Sequence, residues 1–221
     1  MKKLLAVLLA LSMLVCFTAC GDEEDYELTM ENWDYSGAVG VGVPDEVMKA
    51  FESVEKPDDV SYTPIAYLGS QVVAGTNYAL LCKGVSSASD SEVSMYIVIV
   101  FSGLQGETEI ISAEKFDFVD VSGKSTGAQT AGGWEISDKK DNLPSEITAD
   151  FYAKTVEYTK CSLNPLAYMG SLEKDATYTA YVARGEREGD LNKLEVVILR
   201  KTSTGLELKS VSSFEIGDYN K

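Results

Sequence analysis

Few side chains in this chain could carry chemistry, and the missing types narrow the choice as much as the ones present. None of the 221 residues is histidine. The sequence therefore lacks Ser-His-Asp and Cys-His arrangements, His-rich zinc sites and the usual general base near neutral pH. Carboxylates are plentiful, 35 against 19 Lys and Arg, which leaves glycosidase-type acid/base work formally open, but no pair is placed in a way that suggests it. Cys82 and Cys161 have no imidazole to lower a thiol pKa, so neither is expected to be a nucleophile. An enzyme is not expected, nor a cofactor, nor a metal.

What the residues do suggest is binding. From Pro64 to Lys83, two apolar alternating runs flank a small turn at Val72-Val73-Ala74-Gly75, the pattern of a β-hairpin. Hairpin turns facing water normally carry Asn, Asp, Ser and Gly. This one offers two valines and an alanine, and an exposed apolar tip usually touches something.

The elements that position this turn emerge when the chain is compared with itself. Val43-Pro44-Asp45-Glu46-Val47 through Phe51 recurs as Leu143-Pro144-Ser145-Glu146-Ile147 through Phe151. Pro64-Ile65-Ala66-Tyr67-Leu68-Gly69-Ser70 recurs as Pro165-Leu166-Ala167-Tyr168-Met169-Gly170-Ser171, Ser94 to Val100 as Leu194 to Arg200, and Phe116 as Phe214. Two copies of one small domain are the simplest reading. Gly37 to Val43, and Trp134 to Ser137 in the second copy, suit a short strand after a glycine-rich lead. Pro44 and Pro144 suit the first helical position. Val47, Ala50, Phe51 and Val54 then make one apolar helix stripe, repeated more weakly by Ile147, Phe151 and Thr155. The hairpin follows, and then a second hairpin, Met95 to Phe101 and Ile110 to Phe118, turns at Ser102-Gly103-Leu104-Gln105-Gly106. The order strand, helix, four strands predicts an α+β layer in each copy, with the helix stripe covering one side of an antiparallel sheet.

Gln71-Val72-Val73-Ala74-Gly75, followed by a tyrosine-containing strand and set in that order of elements, resembles the first-hairpin motif of the cystatins, the protein inhibitors of papain-like cysteine proteases. The resemblance covers residues 37 to 119 and 132 to 217, with the motif in the first copy alone. It implies two tandem cystatin-like domains, 37–119 and 132–221, joined by a Gly/Ser/Thr-rich linker at 120–131. It also implies a wedge that enters a protease cleft and blocks it without reacting. Antiparallel geometry sends the Val72-Val73 tip and the Leu104-Gln105 turn to the same end, alongside Gly37 to Gly42. By the resemblance, Gln71, Val72, Val73, Ala74 and Gly75 would line the contact, with Leu104 and Gln105 standing where cystatins commonly present Pro-Trp. A preformed apolar turn has little ordering entropy to lose on binding. In the second copy the tip is Leu172-Glu173-Lys174-Asp175, charged and without glycine, so no wedge is expected there. A non-inhibitory surface or scaffolding role, with protein or glycan contacts, is the competing reading.

Ahead of the repeats, Met1-Lys2-Lys3 and the apolar run Leu4 to Ala19 suit a signal peptide and fall short of a membrane span. Phe17-Thr18-Ala19-Cys20 resembles a bacterial lipobox, with phenylalanine where leucine is usual. Acylation of Cys20 is expected, anchoring the chain to the membrane from the extracytoplasmic side. Residues 21–36 hold seven carboxylates and read as a solvated tether; a calcium- or partner-binding arm is the other reading. With an anionic total and no basic cluster after Lys3, binding to nucleic acid is not expected. Cys82 and Cys161 sit at non-equivalent places in the copies. Two buried free thiols are expected, with one interdomain disulfide as the alternative. The strand tyrosines, Tyr67 and Tyr168 among them, are read as packing residues rather than a sugar-stacking platform.

Overall fold

The computed structural model describes residues 33–40, 42–87, 93–118, 133–137, 143–189 and 192–217. The stretch read as a signal peptide, Cys20, most of the acidic segment and residues 120–131, read as a linker, lie outside the described residues. In chain order the elements are α1 (Asp45–Ser53), β1 (Val60–Val72), β2 (Gly75–Ser86), β3 (Val93–Gly103), β4 (Thr108–Lys115), β5 (Glu135–Ile136), α2 (Ser145–Thr155), β6 (Ser162–Glu173), β7 (Thr177–Glu186), β8 (Lys193–Thr202) and β9 (Gly205–Phe214). They build two antiparallel sheets, β1-β2-β3-β4 and β5-β6-β7-β8-β9.

The duplication is visible in the register. Pro64 faces Cys82 and Pro165 faces Ala183, and both first strands carry the same two irregularities, after the proline and before the glycine of the repeated motif. Pro44 and Pro144 sit one residue before their helices, as N-caps whose carbonyls accept from Met48 N and Thr148 N at 2.9 Å. The α1 stripe is as read from the sequence, with Val47, Ala50, Phe51 and Val54 all buried.

The expected fold class does not hold. The described chain is mostly β, two antiparallel sheets with two short helices, not two α+β cystatin domains each wrapped on its own helix. The reason lies in the second face of each sheet. On the second sheet, Tyr168, Tyr181, Val197 and Leu199 pack with Phe151 of α2. The alternate residues Met169, Ala180, Val182, Val196 and Ile198 share a different core with Leu68, Leu80, Val98 and α1. A sheet apolar on both faces must be covered on both. The helix covers one, and the other sheet covers the second.

Matched residues of the two copies make the cross-contacts. Lys83 Nζ donates to Ser137 O at 3.1 Å, while Arg184, the residue 101 positions later, donates to Ser36 O, itself 101 positions before Ser137. The same guanidinium donates to Ala38 O at 2.8 Å and pairs with Glu186. Phe116 and Phe214, partners in the repeat, meet ring to ring at 4.7 Å. Trp33 Nε1 donates to Gly217 O at 3.0 Å, and Trp134 stacks edge-on against Phe118 at 5.3 Å. The end of the acidic segment thus belongs to the folded body, since Trp33 and Tyr35 are buried in the shared core.

Backbone approach sets two glycines. Asp34 bridges Ser70 and Glu135 pairs with Ser171, which lays each lead against its own first strand two residues before that strand ends. A Cβ at Gly69 would lie 2.8 Å from Asp34 O, and one at Gly170 would lie 2.3 Å from Glu135 O. No side chain fits at either crossing.

Candidate functional site

Strand pairing brings the two turns of the first sheet together. Gly75 is the register partner of Gly103, so the β1–β2 tip and the β3–β4 tip lie side by side. The approach is backbone to backbone. A Cβ at Gly75 would lie 2.4 Å from Ser102 O and 2.9 Å from the Gly103 Cα. The matching residue of the second copy is Ala176, between Glu173 and Thr177.

On this paired tip Val72 is 66% exposed and Leu104 is 87% exposed, so two apolar side chains stand in water at one end of one sheet. Val73 is half-buried, and Ala74 and Gln105 are exposed. The β1–β2 turn closes with Val73 N donating to Gly75 O at 3.1 Å. The β3–β4 turn closes with Gly103 N on Glu107 O at 2.8 Å, and Glu107 Oε2 accepts from Gln105 N at 3.1 Å. Gly106 holds a φ of 92°, a conformation that favours glycine.

Two of the sequence-predicted contact residues are elsewhere. Gln71 is fully buried, its Oε1 accepting from Asn77 Nδ2 at 2.9 Å, and Gly75 is buried under the second turn. Period two explains Gln71: with Val72 outward, its neighbour points inward. The glycine lead does not join the edge either. Gly42 bridges Ala66, Ala38 is buried, and Arg184 holds the carbonyls of Ser36 and Ala38. Sequence reasoning placed Gly103 in the second turn but missed Asn77 and Glu107, which brace the two turns; Glu107 directly after the Gly103-to-Gly106 turn was the available signal.

The second sheet presents a different end. Its turn closes the same way, Lys174 N on Ala176 O at 3.0 Å, but its charges satisfy one another. Asp175 accepts from Arg200 at 2.8 Å and from Tyr178 Oη at 3.0 Å, and Arg200 also reaches Glu207 at 3.0 Å. The Arg200 and Tyr178 hydrogen bonds hold the Asp175 carboxyl below its usual range, and Asp175 with Glu207 raises the Arg200 guanidinium further.

Cys82 and Cys161 are both free and buried. Burial pushes both thiols up, reinforced at Cys161 by Glu195 and opposed there by Arg187. Among the described residues no group of three or more Cys, Asp or Glu is placed to hold a metal ion. No protein-family model, curated protein or solved structure matches the chain, and nothing in the two sheets identifies a cystatin-like fold. Fold and site together describe a duplicated, mostly β protein with one apolar double-turn edge.

Proposed function

We propose that this is a lipid-anchored, extracytoplasmic binding protein, without catalysis of its own, that engages a protein partner through the paired tips of the first sheet. The single observation that carries this reading is the pair Val72 and Leu104, exposed on adjacent turns held together at Gly75 and Gly103. Full burial of such side chains contributes about 1.5–3 kcal/mol each, whereas a micromolar complex needs about 8 kcal/mol. Main-chain contacts around the two turns must supply the remainder, and a rigid edge loses little entropy in making them. Cys20 and its lipobox-like context support the anchor.

Inhibition of a papain-like cysteine protease is the narrower reading, and the same two side chains favour it, because a narrow apolar cleft accepts a protruding double turn. Titration of papain with the soluble chain from Gly21 onward tests it. Reversible inhibition at micromolar concentration, lost in Val72→Glu and Leu104→Glu variants of unchanged stability, supports the reading. Undiminished papain activity removes it and leaves the broader binding role to be tested by capture with and without the two substitutions.

A further inference from the structure

We infer that Gln71 and Asn77 are positioning residues for the Val72 tip, a buried amide pair that fixes the turn without meeting the partner; the inference rests on the reading that this tip binds. Both side chains are fully buried, they are register partners across β1 and β2, and Asn77 Nδ2 donates to Gln71 Oε1 at 2.9 Å. They form the last but one cross-strand pair before the turn, ahead of Val72 and Thr76.

The chain carries its own comparison. At the same place in the second copy, Leu172 faces Tyr178, so the duplicated framework closes this hairpin with an apolar and an aromatic side chain. The amide pair is thus no requirement of the fold. Burying two amides costs free energy that their hydrogen bonding only offsets, whereas an apolar pair of the same shape is neutral or stabilising. What the amides supply is direction. A hydrogen bond fixes the relative twist of two strands, and apolar contact does not. The second tip obtains its fixation at the turn itself, where the Asp175 carboxylate accepts from Tyr178 of β7 and Arg200 of β8. The first tip keeps its outer surface apolar, so its fixation has to come from beneath.

The test is the near-isosteric pair Gln71→Met with Asn77→Leu, and a second variant, Gln71→Leu with Asn77→Tyr, which copies the other hairpin. Denaturant unfolding and amide hydrogen exchange are measured on both. The expected result is stability equal to or above the starting protein, with exchange at the Val73 amide faster by about tenfold while the β2–β3 amides keep their rates. Papain inhibition, where the starting protein shows it, weakens by a similar factor. Unchanged exchange at Val73 overturns the inference, as does a loss of stability with exchange accelerated through the whole sheet. A starting protein that leaves papain untouched removes the protease reading alone, because the exchange data still decide the role of the pair.

Discussion

Replacing Arg184 by methionine tests whether the two repeats stand or fall as one body. The side chain is 9% exposed, and its guanidinium holds two backbone carbonyls from the other half of the chain, Ser36 O and Ala38 O. Methionine keeps the apolar stem and removes both bonds, together with the pairing to Glu186, whose carboxylate stays within reach of water. Hydrogen bonds to a charged group are worth about 1.5–3 kcal/mol each. Ser36 is exposed, so water replaces that donor cheaply, while the Ala38 carbonyl is left buried. The expected loss is about 2–4 kcal/mol, or about 5–15 °C in Tm for a chain of this size. Lys83→Met removes the matched contact, one bond of 3.1 Å to a half-buried serine, and should cost about half as much. The two tryptophans of the chain provide the assay, since Trp33 and Trp134 belong to opposite leads. In Trp33→Phe and Trp134→Phe backgrounds, each remaining fluorophore should report the same transition, shifted equally by Arg184→Met. A shift seen by Trp33 alone, or a larger cost for Lys83→Met, would refute the reasoning.

Three more outcomes are expected. Gly75→Ala should destabilise by about 1–3 kcal/mol and speed amide exchange at both tips, because the added Cβ meets backbone that cannot yield; unchanged unfolding in denaturant would contradict the close approach. Burial pushes the Tyr181 hydroxyl up to about 12, and it donates to Ile147 O at 3.1 Å. A folded pKa above the ordinary 10 means its contribution is complete below pH 10 and is lost as pH rises toward 12, so stability should fall over that window and Tyr181→Phe should flatten the fall. Finally, the soluble chain from Gly21 onward should titrate two thiols in denaturant without reductant, and neither at a comparable rate when folded, given the burial of Cys82 and Cys161.

The duplication, the position of both helices and the hairpins were legible in the sequence, because the repeated Pro-to-Ser motif and the α1 stripe are strong local signals. The shared end of the Val72 and Leu104 turns followed from antiparallel geometry, whereas their exposure depends on where the second sheet packs and is read from the structure. The back-to-back packing was not read, although its signal was present. Ala79-Leu80-Leu81-Cys82 and Val196-Val197-Ile198-Leu199 are unbroken apolar runs, the mark of a strand buried on both faces rather than one. Gln71 was misplaced because a short motif was allowed to outrank the period-two alternation that turns it inward. Asn77, facing Gln71 across the predicted hairpin, was within reach of the same alternation, whereas Arg184 was not, since the carbonyls it holds are ones that only the folded chain brings near.

The exchange of equivalent contacts between Lys83, Ser137, Arg184 and Ser36 is the pattern of an isologous interface, in which each subunit gives what it receives. Joining both subunits in one polypeptide releases them from identity. A homodimer must display the same surface at both ends, whereas a fused pair can sharpen one end with valine and leucine and saturate the other with ion pairs. On that account the two unlike tips are a product of the fusion, and either half made alone should self-associate to recover the face it has lost.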